Sequence, residues 1–340
     1  MRAAIWHGAR DVRVSDVPPG EPGPGEAAIA VAYCGICGSD LHEYADGPHA
    51  IPVGAPHPES GRTAPLILGH EFCGTVIEVA PDVTGVGPGD RVAVEPHYRC
   101  GTCPRCLAGE YNLCRHFGFA GLMGDGGLAE RAVVPAYMLH RLPPEVSLEQ
   151  AAVFEPAAVA LHALRRSGLA EGDTVAVAGL GPIGLLVVRL AVRYGARRVV
   201  AADPSPARRE VALRLGADRV VDDSALLREG EGADIVFEAV GAERTLHDSL
   251  AATRRGGGVV LLGLGGTAAI DTFALVNDEK SIIASVGYRD VYPELIRLVA
   301  EEGLDLTAIV TSTIPLADVV HDGFQALLNA KKEIKVLVRP

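Results

Sequence analysis

The sequence predicts an α/β protein with two domains, one β-rich and one built around a doubly wound parallel sheet. Candidate strands separated by Gly and Pro turns fill roughly the first 140 residues. From about Ser147 onward, strand patterns alternate with helical patterns, which is typical of a parallel sheet. A Gly-x-Gly-x-x-Gly run lies between one of these strands and an apolar helix. We therefore assign residues 1–150 and 288–340 to the β-rich domain and residues 151–287 to the parallel-sheet domain.

The β-rich domain is predicted to contain short strands and two long connecting loops. The strands cover Ala27–Ala32, Gly74–Val79, Asp90–Val94 and Ala129–Pro135. The loops, which are rich in Pro and Gly, cover Pro18–Gly25 and Asp46–Pro65. A helix over Tyr292–Glu302 and a strand over Ile334–Val338 complete the chain, and we expect them to return to this domain.

The second domain is predicted to follow a strand and helix order. Its helical patterns cover Leu148–Gly168 and Ile183–Tyr194. Its apolar strands cover Thr174–Ala178, Arg198–Ala202, Asp234–Ala239, Gly258–Leu262 and Ser281–Val286.

Composition and charge exclude several classes of protein. With 48% hydrophobic and 22% charged residues over 340 positions, the chain is long enough and apolar enough for two packed domains. The net charge of -12 argues against binding to nucleic acid or to an anionic membrane surface, so a small-molecule partner is expected. The N-terminus has no apolar stretch of signal-peptide length, which predicts a cytoplasmic protein. The longest apolar stretch, Thr174–Val192, is broken by Gly, Pro and Arg and does not predict a membrane span.

Four closely spaced cysteines predict a structural zinc site. They are Cys100, Cys103, Cys106 and Cys114. Four thiolates can complete a tetrahedral shell around Zn²⁺ and leave no open position for catalysis. Two disulfides are the alternative, but two consecutive Cys-x-x-Cys spacings suit one metal better than two bridges. All seven cysteines precede residue 115, and in a reducing compartment such clustering favours metal binding or catalysis.

The glycine-rich run predicts a dinucleotide-binding loop. Its residues are Gly179, Gly181, Pro182, Ile183 and Gly184, with Leu180 between the first two glycines. The first two glycines permit a tight turn close to a pyrophosphate, and the third lets the helix pack against the strand. The N-terminus of that helix then faces the anion.

An acidic residue after the next strand predicts the cofactor. Asp203 lies 19 residues beyond Gly184, where a carboxylate can accept hydrogen bonds from the adenosine ribose and repel a 2′-phosphate. This favours NAD over NADP. Arg208 and Arg209 follow and are able to attract a phosphate instead, so Arg208 also counts as a candidate cofactor-binding residue.

Residues for a second, catalytic metal site are scattered through the chain. Cys37 belongs to a Cys-x-x-Cys with Cys34, but its β-rich surroundings argue against a redox pair. His70 and Glu71 are adjacent after a Pro-rich loop, and Glu155 opens the helix that leads into the second domain. A thiolate, an imidazole and a carboxylate together make a three-ligand zinc site with one open position.

These motifs together resemble the zinc-dependent medium-chain alcohol dehydrogenases, in particular the branch of 2,3-butanediol and sorbitol (polyol) dehydrogenases. The resemblance covers essentially the whole chain. It rests on Cys37–His42, Gly69–Phe72, the four-cysteine loop, Glu155–Pro156, Gly179–Gly184 and Ile334–Val338. It implies a GroES-like catalytic domain joined to a Rossmann domain, with two zinc ions per chain.

The resemblance also implies residue roles. Cys37 and His70 are zinc ligands, while one of Glu71 and Glu155 binds directly and the other through water or transiently. Ser39 and His42 resemble the family's proton relay. Asp40 is expected to accept a hydrogen bond from the His70 ring, with capping of the following helix as its alternative role.

The expected activity is transfer of a hydride between NAD(H) and a secondary alcohol or vicinal diol, with 2,3-butanediol and acetoin preferred. Sorbitol or another polyol, an aminocyclitol and threonine are alternative substrates of the same site. A nucleotide-binding protein without catalysis is the alternative from another class, but no expected zinc ligand is missing. The resemblance further implies a homodimer or homotetramer, because an exposed edge of the nucleotide-binding sheet can pair with its copy.

Overall fold

The computed structural model describes residues 1–329 and 333–340 and divides the chain into two compact units. The first unit comprises Met1–Glu155 and Tyr292–Pro340, and the second comprises Pro156–Val291. The divisions therefore fall after Glu155 and Val291, whereas the sequence placed them after residues 150 and 287.

The described residues contain 18 strands and ten α-helices. The strands are β1 (Arg2–Gly8), β2 (Asp11–Asp16), β3 (Glu26–Gly35), β4 (Leu66–Ile67), β5 (Glu71–Val79), β6 (Arg91–Val94), β7 (His97–Tyr98), β8 (Gly118–Phe119), β9 (Arg131–Pro135), β10 (Leu139–Arg141), β11 (Thr174–Ala178), β12 (Arg198–Ala202), β13 (Arg219–Val221), β14 (Ala233–Glu238), β15 (Thr253–Leu261), β16 (Ser281–Ala284), β17 (Val310–Pro315) and β18 (Lys335–Arg339). The α-helices are α1 (Gly38–Asp46), α2 (Pro104–Leu107), α3 (Leu148–Ala151), α4 (Phe154–Ser167), α5 (Pro182–Arg193), α6 (Pro206–Arg214), α7 (Glu243–Ala252), α8 (Thr272–Asn277), α9 (Tyr292–Glu302) and α10 (Ala326–Asn329), with a π-helix over Val319–Gln325.

Strand β3 organises the first unit. It pairs with β5, β9 and β18 in a sheet whose order is β10-β6-β5-β3-β18-β17. Gly35 at the end of β3 faces Glu71 on one side and Leu337 on the other. This register brings the segment around residue 37, the start of β5 and the C-terminal strand together, although they are far apart in sequence. Buried apolar side chains such as Ile29 and Phe72 form the core beneath.

The second unit contains the predicted doubly wound parallel sheet. Its six parallel strands have the order β13-β12-β11-β14-β15-β16. The order reverses between β11 and β14, and in sheets of this kind ligands bind beyond the carboxyl ends of the strands at that point. The sequence prediction of an α/β fold with a parallel sheet is therefore confirmed.

Local structure differs from the sequence prediction at several places. The single helix predicted over Leu148–Gly168 is divided into α3 and α4, so that Glu155 lies in the first turn of its own helix. The sequence did not predict β4, β7, β8, β10, β13 and β17, most of which are only two or three residues long. Strands β1 and β2 were not predicted either. They join at a tight turn in which Arg10 has a positive φ of 61°. Among the described residues, no helix combines the length and the apolar character needed to cross a bilayer.

Candidate functional site

The four predicted cysteine ligands lie together. Their sulfur atoms are all within 4.8 Å of one another, with Cys100 Sγ 3.5 Å from Cys114 Sγ and 4.0 Å from Cys106 Sγ. Sulfurs on a tetrahedral zinc ion with Zn–S bonds near 2.3 Å are about 3.8 Å apart, whereas a disulfide is only about 2.05 Å long. All seven cysteines are free thiols, so the disulfide alternative is excluded and the donor set fits zinc.

Local backbone geometry makes this arrangement. Cys103 is the N-cap of α2, and its sulfur accepts the Cys106 N–H, while the Cys100 sulfur accepts the Cys103 N–H. The nearby N–H of Thr102 is the largest cause that lowers the pKa of Cys100, to about 6. Burial instead raises the pKa of Cys106 to about 12. Because thiolates this close repel one another, all four cysteines can ionise together only when a cation is bound between them.

A second group of donor atoms is formed by Cys37, His70 and Glu71, again within 4.8 Å of one another. His70 and Glu71 are buried, and Cys37 is half-buried. This donor set of thiolate, imidazole and carboxylate fits zinc and supplies only three ligands, which leaves one position for another molecule. Unlike the four cysteines, these residues come from different elements that the β3 register brings together.

Asp40 fixes two members of this group. Its Oδ2 accepts the Cys37 N–H at 2.9 Å, which caps α1, and its Oδ1 lies 3.5 Å from His70 Nδ1. Asp40 therefore caps α1, whereas its 3.5 Å separation from His70 is an ion-pair contact and not the hydrogen bond that the resemblance implies. Burial lowers the pKa of His70, but the charges of Asp40 and Cys37 outweigh it and raise the pKa well above its ordinary value. The negative charges around His70 therefore favour a cation at this site.

Lys335 is a residue that the sequence analysis missed. Its Nζ donates to both carboxylate oxygens of Glu71, at 2.7 and 2.6 Å, and to the Ile36 carbonyl at 2.9 Å. Lys335 is 1% exposed and Glu71 is fully buried, so this is a buried ion pair directly beside the donor group. Burial lowers the pKa of Lys335, but the charges of Glu71, Cys37 and Glu155 and the hydrogen bond to Glu71 together outweigh this effect and raise it. The feature of the sequence that could have pointed to Lys335 is that it is the single charged residue in the apolar strand Ile334–Val338.

The other predicted residues of the first unit lie around this group. Glu155 is buried at the start of α4, and its negative charge contributes to the raised pKa of Lys335, but it is not among the three clustered donors. Ser39 Oγ lies 3.3 Å from His70 Nε2. His42 lies three residues further along α1, on the same side of the helix, and is exposed.

In the second unit, the glycine-rich loop has the geometry that its sequence predicts. Gly179 has a φ of 92°, which favours glycine. A Cβ on Gly184 would lie only 1.9 Å from the Gly179 carbonyl oxygen, so helix α5 can approach β11 only because residue 184 is glycine. Gly181 is the N-cap of α5, Pro182 is its first residue and Ile183 follows, so the free N–H groups of the first turn begin at this loop.

Asp203 directly follows β12, one residue beyond its end. Its carboxylate accepts the N–H groups of Leu180 at 2.9 Å and Ser205 at 2.8 Å, which ties it to the glycine-rich loop. Arg208 Nη1 lies 3.7 Å from the Asp203 carboxylate. Arg209 donates to the backbone carbonyls of Asp203 and Pro204. Both arginines are thus engaged with this turn.

Comparison with known families matches both units. Residues 23–144 match the alcohol dehydrogenase GroES-like domain, and residues 182–301 match the zinc-binding dehydrogenase family. The chain is also 41% identical over 350 aligned residues to the (R,R)-butanediol dehydrogenase of Bacillus subtilis, with all of both chains covered. It therefore belongs to the zinc-binding, medium-chain alcohol dehydrogenase family, which confirms the resemblance seen in the sequence. It is an oxidoreductase of the alcohol dehydrogenase type that acts on a small molecule.

Other relatives and solved structures show the breadth of this similarity. Sorbitol dehydrogenase of Bacillus subtilis is 32% identical, with 100% of this chain and 97% of the relative covered. The crystal structure of 2R,3R-butanediol dehydrogenase from Bacillus subtilis superposes with a TM-score of 0.93 at 40% identity, covering 100% of this chain and 99% of that one. A zinc-binding dehydrogenase from Sinorhizobium meliloti 1021 bound to NADP has a TM-score of 0.90 at 32% identity, with the same coverage.

Proposed function

We propose that the chain oxidises a vicinal secondary diol with NAD as hydride acceptor, and that 2,3-butanediol and acetoin are its preferred pair. The observation that carries this proposal is the open donor group of Cys37, His70 and Glu71 in a chain that matches a butanediol dehydrogenase over its full length. Sorbitol remains the second candidate, because a sorbitol dehydrogenase matches over the full chain at lower identity.

Cys37, His70 and Glu71 are proposed to hold the catalytic zinc ion directly. Bound zinc supplies a Lewis acid that lowers the pKa of a substrate hydroxyl, and bound NAD accepts the hydride. A carboxylate has about four lone-pair sites, so Glu71 can bind Lys335 and a metal at the same time. Glu155, buried but outside the donor group, is then the carboxylate that acts through water.

Ser39 and His42 are proposed to carry the substrate proton away. Ser39 Oγ lies beside His70, so it is in reach of a hydroxyl that binds at the same metal. His42 is exposed to water and can release a proton there. Both residues are on α1, whose N-cap is the ligand Cys37, so the helix fixes the relay relative to the metal.

NAD is proposed as the cofactor because Asp203 places a buried carboxylate beside the glycine-rich loop. A 2′-phosphate would bring negative charge toward this group, while the ribose hydroxyls of NAD can donate to it. Gly179, Gly181, Pro182, Ile183 and Gly184 form the loop that receives the pyrophosphate. Arg208 and Arg209 already contact the Asp203 turn, which argues against their use as a phosphate site.

The assembly and the compartment are also proposals. Strand β16 is the outer strand of the parallel sheet, and helix α8 before it exposes Phe273 and Val276. Pairing of this edge with its copy would form a homodimer, or a tetramer of two such dimers. None of the seven cysteines forms a disulfide, which favours a reducing compartment such as the cytoplasm. Light scattering of the purified protein measures the assembly directly.

The test of the function is a panel of 2,3-butanediol stereoisomers, sorbitol and threonine with NAD and with NADP. We expect kcat/KM for one butanediol isomer with NAD to exceed the sorbitol value by about tenfold or more, since pocket contacts of this kind give 10- to 200-fold discrimination. A higher value for sorbitol would move the assignment to a polyol dehydrogenase.

A separate substitution tests the preference for NAD over NADP. Asp203→Asn removes the charge that repels a 2′-phosphate, so we expect kcat/KM with NADP to rise by about tenfold, which corresponds to about 1.4 kcal/mol. The matched control is Asp218→Asn, because Asp218 also accepts a backbone N–H at an end of β12 but lies at the opposite end from Asp203. A wild-type preference for NADP would contradict the proposal.

A further inference from the structure

A third group of metal-binding side chains adjoins the four-cysteine loop. The ligand atoms of Glu59, Cys100 and His116 all lie within 4.8 Å of one another. His116 Nδ1 is 2.6 Å from a carboxylate oxygen of Glu59, and both side chains are partly exposed. This group contains the same three donor types as the Cys37 group, but it lies at the surface and shares Cys100 with the structural site.

The surrounding backbone holds the two new donors in place. The His116 N–H donates to the Cys114 sulfur at 3.3 Å, so His116 is fixed directly to the four-cysteine loop. Glu59 lies in a loop closed by hydrogen bonds between His57 and Arg62 and between Gly61 and His57, each 2.8 Å long. The donors therefore come from two segments, and each segment is ordered without a metal.

Charge gives a reason for a second cation here. Four thiolates outnumber the two charges of one zinc ion, so the filled structural site is an anion, and Glu59 adds further negative charge next to it. A zinc-bound thiolate still has lone pairs, and a soft thiolate with imidazole and carboxylate suits zinc or cadmium better than magnesium or calcium.

We propose that Glu59, His116 and the Cys100 sulfur bind an additional divalent cation of the zinc group, which shares the Cys100 thiolate with the structural zinc. Two ligands on one zinc ion at about 2.0 Å lie about 3.3 Å apart, so the ion would insert between His116 and Glu59 and widen their 2.6 Å contact. With three protein donors, the ion keeps a position for water. This inference rests on the structural zinc site and not on the substrate.

The test titrates the enzyme that already holds two zinc ions per chain with further Zn²⁺ by calorimetry. We expect one additional equivalent of bound Zn²⁺ per chain. His116→Gln and Glu59→Gln should each weaken it by about tenfold or more, since even outer-shell changes cost 10- to 100-fold in metal affinity. The matched control is His49→Gln, which removes another surface histidine that contacts a carboxylate, at 2.9 Å, but belongs to no group of three donors among the described residues.

A second readout separates a shared thiolate from simple surface binding. In the enzyme loaded with ¹¹³Cd, we expect the NMR resonance of the four-cysteine site to be coupled to that of the added ion. This coupling should disappear in His116→Gln. An additional equivalent that persists unchanged in both variants, or that shows no coupling, would overturn the proposal. Absence of any additional equivalent would also overturn the proposal. None of these outcomes would affect the diol oxidation proposed above.

Discussion

The two metal-binding regions of the first unit are built on opposite principles. The four-cysteine site takes all its donors from residues 100–114, and short backbone turns place the sulfurs. The Cys37 site takes its donors from the N-cap of α1 and the start of β5, and it depends on the C-terminal strand for Lys335. The first site is local and closed, whereas the second is assembled by the fold and remains open.

This difference shows how one metal serves two purposes. A closed shell of four thiolates has no position for a substrate, so it can only cross-link its loop. The open group has three donors, a buried counter-ion pair and a polar helix beside it. We therefore expect damage to the first region to reduce stability, and damage to the second to reduce turnover.

The largest expected effect is on turnover. Cys37→Ser removes a thiolate ligand of the open site, and we expect kcat/KM to fall by about 1000-fold, because Lewis-acid stabilisation is worth several kcal/mol. The melting temperature should change little, since Cys37 is only half-buried. Steady-state kinetics and thermal unfolding of the same preparation check both statements. Full turnover in this variant would remove Cys37 from the catalytic machinery.

The next effect concerns the buried pair beside the open site. In enzyme whose open site holds no zinc, Lys335→Met leaves the Glu71 carboxylate buried without a counter-ion, and we expect the free energy of unfolding to fall by about 3 to 5 kcal/mol. The double variant Lys335→Met with Glu71→Gln has no uncompensated charge and should recover most of that loss. Denaturant unfolding measures both. A single variant as stable as the wild type would show that the pair contributes nothing to folding.

The closed site should show the reverse of the Cys37 result. Cys114→Ser opens the zinc shell, and we expect about 3 kcal/mol less stability, the value for a cross-link that closes a loop of about 15 residues. Zinc content should fall from about two ions per chain to about one. Cys73→Ala is the control, because Cys73 is buried but belongs to no donor group among the described residues. If Cys114→Ser lost turnover without losing stability, the roles of the two regions would have to be exchanged.

The same contrast explains what the sequence could predict. The four cysteines and the glycine-rich loop are local motifs, and short-range geometry determines their structure. Five strands of the parallel sheet could be predicted because each contains an apolar run, whereas the three-residue strand β13 was missed. The Lys335–Glu71 pair could not be predicted, because it depends on β3 lying between β5 and β18 in one register. The division of the helix at residues 152 and 153 was also missed, since the apolar pattern continues through it.

The smallest expected effect decides between two carboxylates that the sequence left equivalent. Glu71 lies within the donor group and Glu155 lies outside it. We therefore expect Glu71→Gln to lower the affinity of the open site for zinc by at least about 10- to 100-fold, the range for loss of an outer-shell partner, and Glu155→Gln to lower it less. Competition with a chelator, followed by metal analysis, measures this affinity without relying on activity.

The two variants are matched, because each replaces a buried carboxylate by an amide of the same shape. Zinc at the four-cysteine site serves as an internal reference, since neither substitution touches that loop. If Glu155→Gln released the second zinc ion and Glu71→Gln kept it, Glu155 would be the direct ligand. Glu71 would then serve only as the partner of Lys335. The open site would in that case draw its third donor from α4, which would make it depend still more on the fold than the closed site does.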